Sequence, residues 1–139
     1  MKPIGYWLNR TDKALTRSMN DMLAEFGLTR IAWQVLNVIQ DTPDAHDTEV
    51  RSVLAANADP ATLTEAIDTV LADGWAARPA PGRLTLTPDG RRRLTEVSVR
   101  VDAFRELSMT GIRLDEYHTA VRVLERMCHN LEGPTSGGR

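Results

Sequence analysis

The chain has 139 residues, 42% of them hydrophobic, and a net charge of −2, which suits one domain with a modest core and excludes wholesale disorder. No apolar run approaches the roughly 18–20 residues needed to cross a bilayer, Met1-Lys2-Pro3-Ile4-Gly5 lacks the apolar run of a signal peptide, and a single cysteine, Cys128, excludes an intrachain disulfide or a cysteine-based zinc site. A cytoplasmic protein is expected, and any nucleic-acid binding must come from local basic patches rather than from the overall charge.

Ile4, Leu8, Leu15, Met19, Met22, Leu23 and Phe26 recur at helical spacing and predict a first helix from about residue 4 to Phe26, with Gly27 at its C-terminal cap. It is apolar on more than one side, as expected of a helix with a second surface to bury. Thr29 is the natural N-cap of a second helix whose inner face is Ala32, Val35, Leu36 and Ile39. Asp41-Thr42-Pro43-Asp44 reads as a turn. A third helix is predicted near Thr48 to Ala56, burying Val50, Val53 and Leu54. Asp59 caps a fourth, with Pro60 at its first position, where the missing N–H costs nothing. Its inward stripe is Leu63, Ala66, Ile67, Val70 and Leu71, and Gly74 closes it.

Trp75–Arg78 and Arg83–Leu86 read as two strands joined by Pro79-Ala80-Pro81-Gly82. Thr87 then caps a fifth helix with Pro88 at its first position and Leu94, Val97, Val101, Phe104 and Leu107 along one side. After Gly111 a sixth helix runs from about Leu114 to Leu131, with Tyr117, Val121, Leu124, Met127 and Cys128 as its apolar face. The tail, residues 132–139, has no apolar anchor and is expected to be mobile.

The fold class expected is mainly α with a small β-wing: one domain over residues 1–139, a winged helix-turn-helix lobe at 28–93, and helices at 1–27 and 94–131 that serve dimerisation. A helix-turn-helix reads DNA because one helix fits the major groove while its neighbour braces it, and a wing can reach the minor groove with a basic side chain. A two-fold dimer would read a pseudo-palindrome.

Certain residues give the order a more particular likeness: Gly27-Leu28-Thr29 followed by Trp33 and Val35-Leu36, then Pro60-Ala61-Thr62-Leu63-Thr64, Asp68, Asp73-Gly74 and Leu86-Thr87-Pro88-Asp89-Gly90-Arg91. With these pieces the chain resembles the MarR family of bacterial regulators (multiple antibiotic resistance type) over nearly its whole length. The resemblance implies a triangular homodimer held by the first, fifth and sixth helices. It also implies a fourth helix that enters the major groove, an Asp-Arg pair on the wing, and small phenolic or aromatic acids bound between the dimer region and the DNA-binding lobe.

The chain departs from that pattern where DNA would be met. Glu65 stands where the family often has arginine, and Thr69 takes another commonly basic position. The outward residues of the fourth helix are thus Ala61, Thr62, Thr64, Glu65, Asp68 and Thr69, with no positive charge. The wing is short: Arg83 stands near the place of the wing arginine, and Gly82 replaces its aspartate. From Asp47 to Thr87, Arg51, Arg78 and Arg83 face Asp47, Glu49, Asp59, Glu65, Asp68 and Asp73, three against six. The DNA-binding set expected is therefore Ala61, Thr62, Thr64, Glu65, Asp68, Thr69, Arg78 and Arg83.

Trp7, Arg10 and Trp33 could line a pocket for a small aromatic acid, with core or interface packing as the simpler role. Arg91-Arg92-Arg93 suit either a solvated turn of helix or a phosphate clamp beside the wing. His46, His118 and His129 are scattered and lack metal-ligand spacing. Cys128 reads as a buried, inert thiol. No nucleophile–base pair, phosphate-binding glycine loop or cofactor motif is present, so neither an enzyme nor a bound cofactor is expected. The reading is a homodimeric transcriptional regulator whose partner is double-stranded DNA. The alternative is a protein of the same fold with weak or lost DNA binding that acts as a protein-interaction module, such as an antagonist that heterodimerises with a true regulator.

Overall fold

The computed structural model describes residues 1–133. Among them, in chain order, lie α1 (Ile4–Ala24), α2 (Arg30–Asp41), β1 (Ala45–His46), α3 (Asp47–Val53), α4 (Pro60–Ala72), β2 (Ala76–Ala77), β3 (Arg83–Leu86), α5 (Pro88–Ser108) and α6 (Leu114–Glu132). The strands form one small antiparallel sheet in the order β1-β3-β2, with Ala45 opposite Leu84 and Ala76 opposite Leu86. The chain divides into two units, Met1–Asp102 and a second that begins at Ala103.

Local chemistry sets the element ends in the first unit. The Thr29 hydroxyl accepts from the Ala32 amide at 3.2 Å, and the Asp59 carboxylate accepts from the Thr62 amide at 2.7 Å. Each satisfies an amide that the first turn of a helix leaves without a partner. Helices α1 and α4 end alike. Beyond α1 the amides of Gly27 and Leu28 return to the carbonyls of Ala24 and Leu23, and beyond α4 those of Gly74 and Trp75 return to Leu71 and Val70. This double return needs a left-handed residue, and Gly27 (φ 73°) and Gly74 (φ 79°) supply it at low steric cost.

The core of this unit joins Leu23 of α1, Val35 and Leu36 of α2, Val50 of α3, Ile67 and Val70 of α4, Trp75, Leu84 of β3, and Leu94 and Val97 of α5. Helix α4 lies against α2, with α3 also packed on α2. Trp75 is buried to 2% exposure and directly underlies the start of α5. A methyl group added to Gly90 would meet the Trp75 carbonyl oxygen at 1.9 Å, so only glycine allows this close approach.

Several expectations change. Helix α1 ends at Ala24 rather than Phe26, the last residues forming the turn that Gly27 closes. Helix α3 starts at Asp47, because the Glu49 carboxylate reaches back to the His46 amide at 2.9 Å, and it ends at Val53 rather than Ala56. Val50 and Leu54, four apart, take its inner face, so Val53 is 61% exposed rather than buried. Strand β1 was not anticipated: two residues are too short to display alternation, and β3 pairs them once the α2–α3 connection has turned at Asp44 (φ 51°).

In the second unit Gly111 (φ 78°) separates the end of α5 from α6. No residue of α6 is buried, although Tyr117, Val121, Leu124, Met127 and Cys128 were expected to form an apolar face. Leu124 and Met127 are half-covered, and Tyr117 and Val121 are open. Cys128 is likewise exposed, which corrects its reading as a buried thiol. Of the tail expected to be mobile, residues 134–139 lie outside the described residues.

Candidate nucleic-acid interface

Leu63, Ala66, Ile67 and Val70 turn one side of α4 into the core. The period of the helix then forces Ala61, Thr62, Thr64, Glu65, Asp68 and Thr69 outward, and all six are exposed. They do not form one uniform surface. Thr62, Glu65 and Thr69 border a hollow of about 170 Å3 whose other wall is Gly27, Thr29, Ile31 and Ala32 at the start of α2. Thr64 lies on the opposite flank, where the Arg51 guanidinium of α3 donates to its hydroxyl at 2.9 Å and to the Pro60 carbonyl at 3.4 Å. Arg51 thereby fastens α3 to the first turn of α4. It is structural in this chain, and the exposed face of α4 itself offers carboxylates and hydroxyls only.

The wing cations are held as well. Arg78 makes a two-pronged ion pair with Asp47, at 2.7 and 3.0 Å, and donates to the Arg83 carbonyl at 3.5 Å. The hydrogen bond from Arg78 is the main reason the Asp47 carboxyl is held below its ordinary range, and Asp47 in turn raises Arg78. Arg83 pairs with Asp44 at 3.2 Å, with the Asp44 side chain 80% exposed. Sequence reasoning missed both carboxylates. Asp47 lies 31 residues from Arg78, and only the unanticipated β1–β3 pairing brings the α2–α3 connection to the wing.

The three arginines of α5 have different fates. Arg92 and Arg93 both pair with Asp89. Arg93 also lies over the Trp75 ring, 4.1 Å from its centroid, and donates to the Asp73 carbonyl at 3.0 Å. It is a staple between the α4–β2 turn and α5. Arg91 is exposed and makes no ion pair among the described residues.

Of the proposed ligand residues, Trp7 and Arg10 come together, the guanidinium lying 5.7 Å from the indole centroid and donating to the Tyr6 hydroxyl at 3.2 Å. An open hollow of about 460 Å3 on α1 is bordered by Arg10, Tyr6, Lys13 and Arg17. Trp33 is half-buried against the core and makes no ring contact with Trp7 among the described residues. Among the described residues no group of three His, Cys, Asp or Glu is placed to hold a metal ion. No helix among them is long and apolar enough to cross a membrane.

No protein-family model matches the chain, and no curated protein does. Solved structures do. The MarR family protein Rv2887 of Mycobacterium tuberculosis, in complex with DNA, superposes with a TM-score of 0.71 at 23% identity, covering 91% of this chain and 98% of that one. The same protein in complex with p-aminosalicylic acid gives 0.67 at 23% identity, covering 92% and 100%. Wild-type MarR of E. coli, without ligand, gives 0.65 at 25% identity, covering 91% and 98%. With helices α2, α3 and α4 followed by a small three-stranded antiparallel sheet, and long helices before and after them in the sequence, the chain has the winged helix-turn-helix fold of the MarR family of regulators.

Proposed function

We propose that this protein is a cytoplasmic DNA-binding transcriptional regulator of the MarR type. Residues 28–93 are its DNA-binding lobe, and residues 1–27 and 94–131 join two copies into a homodimer that reads a pseudo-palindromic duplex site. The observation that carries this reading is the intact start of α4. Asp59 caps it, Pro60 opens it and Arg51 fastens it to α3, so Ala61, Thr62, Thr64 and Glu65 are presented on its fastened, exposed first two turns. Such presentation of a helix N-terminus is what major-groove reading needs. Glu65 accepts from cytosine N4, and Arg83 serves the backbone or minor groove. A DNA complex exists for a protein of this fold.

On this reading a small aromatic acid acts as effector at Trp7, Arg10 and Trp33 by favouring one spacing of the two recognition helices. The Trp7–Arg10 contact and the p-aminosalicylic acid complex of Rv2887 support it.

The test is Arg83→Ala against operator DNA across salt concentrations. The variant should bind more weakly, with its salt slope lowered by about one unit per subunit. Unchanged affinity and slope would contradict the role of Arg83.

One observation favours a second reading, in which the fold persists without DNA binding and the protein antagonises another regulator. Arg51, Arg78 and Arg83 are all engaged by the protein itself, leaving Glu65 and Asp68 exposed on the recognition helix. If that reading holds, wild type binds no duplex, and Glu65→Arg with Thr69→Arg creates salt-sensitive, sequence-independent binding.

A further inference from the structure

Three threonines lie on the exposed face of α4, and the protein sets the polarity of one hydroxyl only, that of Thr64. The half-buried Arg51 of α3 donates from Nη2 to Thr64 Oγ1 at 2.9 Å and from Nη1 to the Pro60 carbonyl at 3.4 Å. A guanidinium has donors and no acceptor, so the Thr64 oxygen accepts and its own proton is left to give. No carbonyl takes that proton among the described residues. Other helical hydroxyls turn theirs inward: Thr95, Ser98 and Thr119 donate to the carbonyl four residues back, at 3.1, 3.0 and 2.9 Å. For Thr64 the carbonyl four back is that of Pro60, which receives Arg51 instead. A threonine free to rotate pairs with either kind of base edge and so distinguishes little. Arg51 removes that choice: its charge beside Oγ1 polarises the O–H and opposes the approach of a second donor, such as the amine of cytosine or adenine.

We propose that Arg51 makes Thr64 a dedicated hydrogen-bond donor, so that this flank of α4 selects a guanine in the major groove. Guanine offers two acceptors there and no donor, whereas thymine offers one acceptor, adenine sets an amine beside its acceptor and cytosine presents an amine. Arg51 is a positioning residue in this scheme: it acts through Thr64 and meets no phosphate. Glu65, which borders the hollow on the other flank, only accepts while ionised. The two flanks of α4 thus ask for opposite chemistry, an acceptor edge at Thr64 and an amine at Glu65. The assignment rests on the DNA-binding reading and adds to it which base edge one position of the site must show.

Selection by the full chain from a randomised duplex library, followed by titration of the selected duplexes across salt concentrations, tests it. Wild type should enrich a guanine at one position of each half-site and bind duplexes altered there about tenfold more weakly. Thr64→Ser keeps the hydroxyl and should keep the preference, while Thr64→Val should bind all four bases at that position alike. Arg51→Met should lose most of the same preference with the salt slope unchanged, and should change nothing further in a Thr64→Val background. Arg51→Lys, which retains a charged donor, should keep part of the preference at the same slope, and it serves where Arg51→Met melts too low to titrate. A loss of affinity in Thr64→Val that is equal for every base puts the contact on phosphate and overturns the assignment. So does a salt slope lowered by about one unit per subunit in the Arg51 variants, or enrichment of any other base at the position that responds to Thr64→Val. Enrichment that ignores both Thr64 and Arg51 overturns this assignment alone, whereas a wild type that enriches no sequence overturns the regulator reading with it.

Discussion

The ion pair between Arg78 and Asp47 decides how much positive charge the wing can offer. It is two-pronged and partly covered, so Arg78 is positioned rather than free. Asp47→Asn should release it. On the regulator reading the variant binds duplex more tightly and with a steeper salt slope, by about one unit per subunit, because one more cation meets phosphate. The same pair gives a pH dependence whose sign is fixed. The folded-state pKa of Asp47 lies below its unfolded value, so the stabilisation is fully present above the ordinary carboxylate range and is lost as pH falls through the folded value. With both side chains partly exposed, the contribution is about 0.5–1 kcal/mol at neutral pH. Chemical denaturation of wild type and Asp47→Asn should therefore differ by that amount at pH 7 and converge in acid. A gap that persists below the folded pKa would show that Asp47 acts through something other than its charge.

Among the elements, the junction of β3 with α5 depends on two residues. The Thr87 hydroxyl accepts from the Gly90 amide at 2.8 Å and donates to the Gly74 carbonyl at 2.7 Å, so one side chain caps α5 and ties it to the end of α4. Thr87→Ala should cost about 1–2 kcal/mol in denaturant unfolding. Gly90→Ala should cost about 3 kcal/mol or abolish folding, since its methyl group lands on the Trp75 backbone rather than on a side chain that can move. A Gly90→Ala protein as stable as wild type would mean that α5 can leave Trp75 without penalty.

These junctions also show what could be read in the chain before its structure. Asp59-Pro60, Gly74 and Thr87-Pro88 each carry their own reason to start or stop a helix, so the helix order followed from them. The same holds for the exposed set on α4, which follows from helical period alone. Strand β1 and the partners of Arg78 and Arg83 did not follow. They depend on pairing between segments far apart in the chain, and a two-residue strand carries no periodic signal of its own. Arg51 was counted among the charges of the DNA-facing region, yet its hydrogen bonds to Thr64 and Pro60 make it part of the frame.

For the protein as an assembly, the apolar surface left open within each unit is the informative quantity. In the first unit Ile4, Trp7, Leu8 and Leu15 of α1 are all more than 40% exposed; in the second, Leu114, Tyr117 and Val121 of α6 are too. Surface of this kind marks an interface rather than a solvated face. Wild type is therefore expected to sediment as a dimer at micromolar concentration. Leu124→Asp, which places a charge among these α6 residues, should dissociate it with loss of stability. A stable, folded wild-type monomer at that concentration would rule the dimer out.

What such a dimer would do depends on whether an acidic α4 on an intact helix-turn-helix frame still reads DNA. Binding of the wild-type protein to duplex DNA flanking its own gene, measured from low salt to about 0.15 M against a scrambled duplex, answers this. A sub-micromolar, sequence-specific complex of two chains per site at the higher salt is the predicted result. Binding that is absent, or that does not distinguish the scrambled duplex, would contradict the regulator reading.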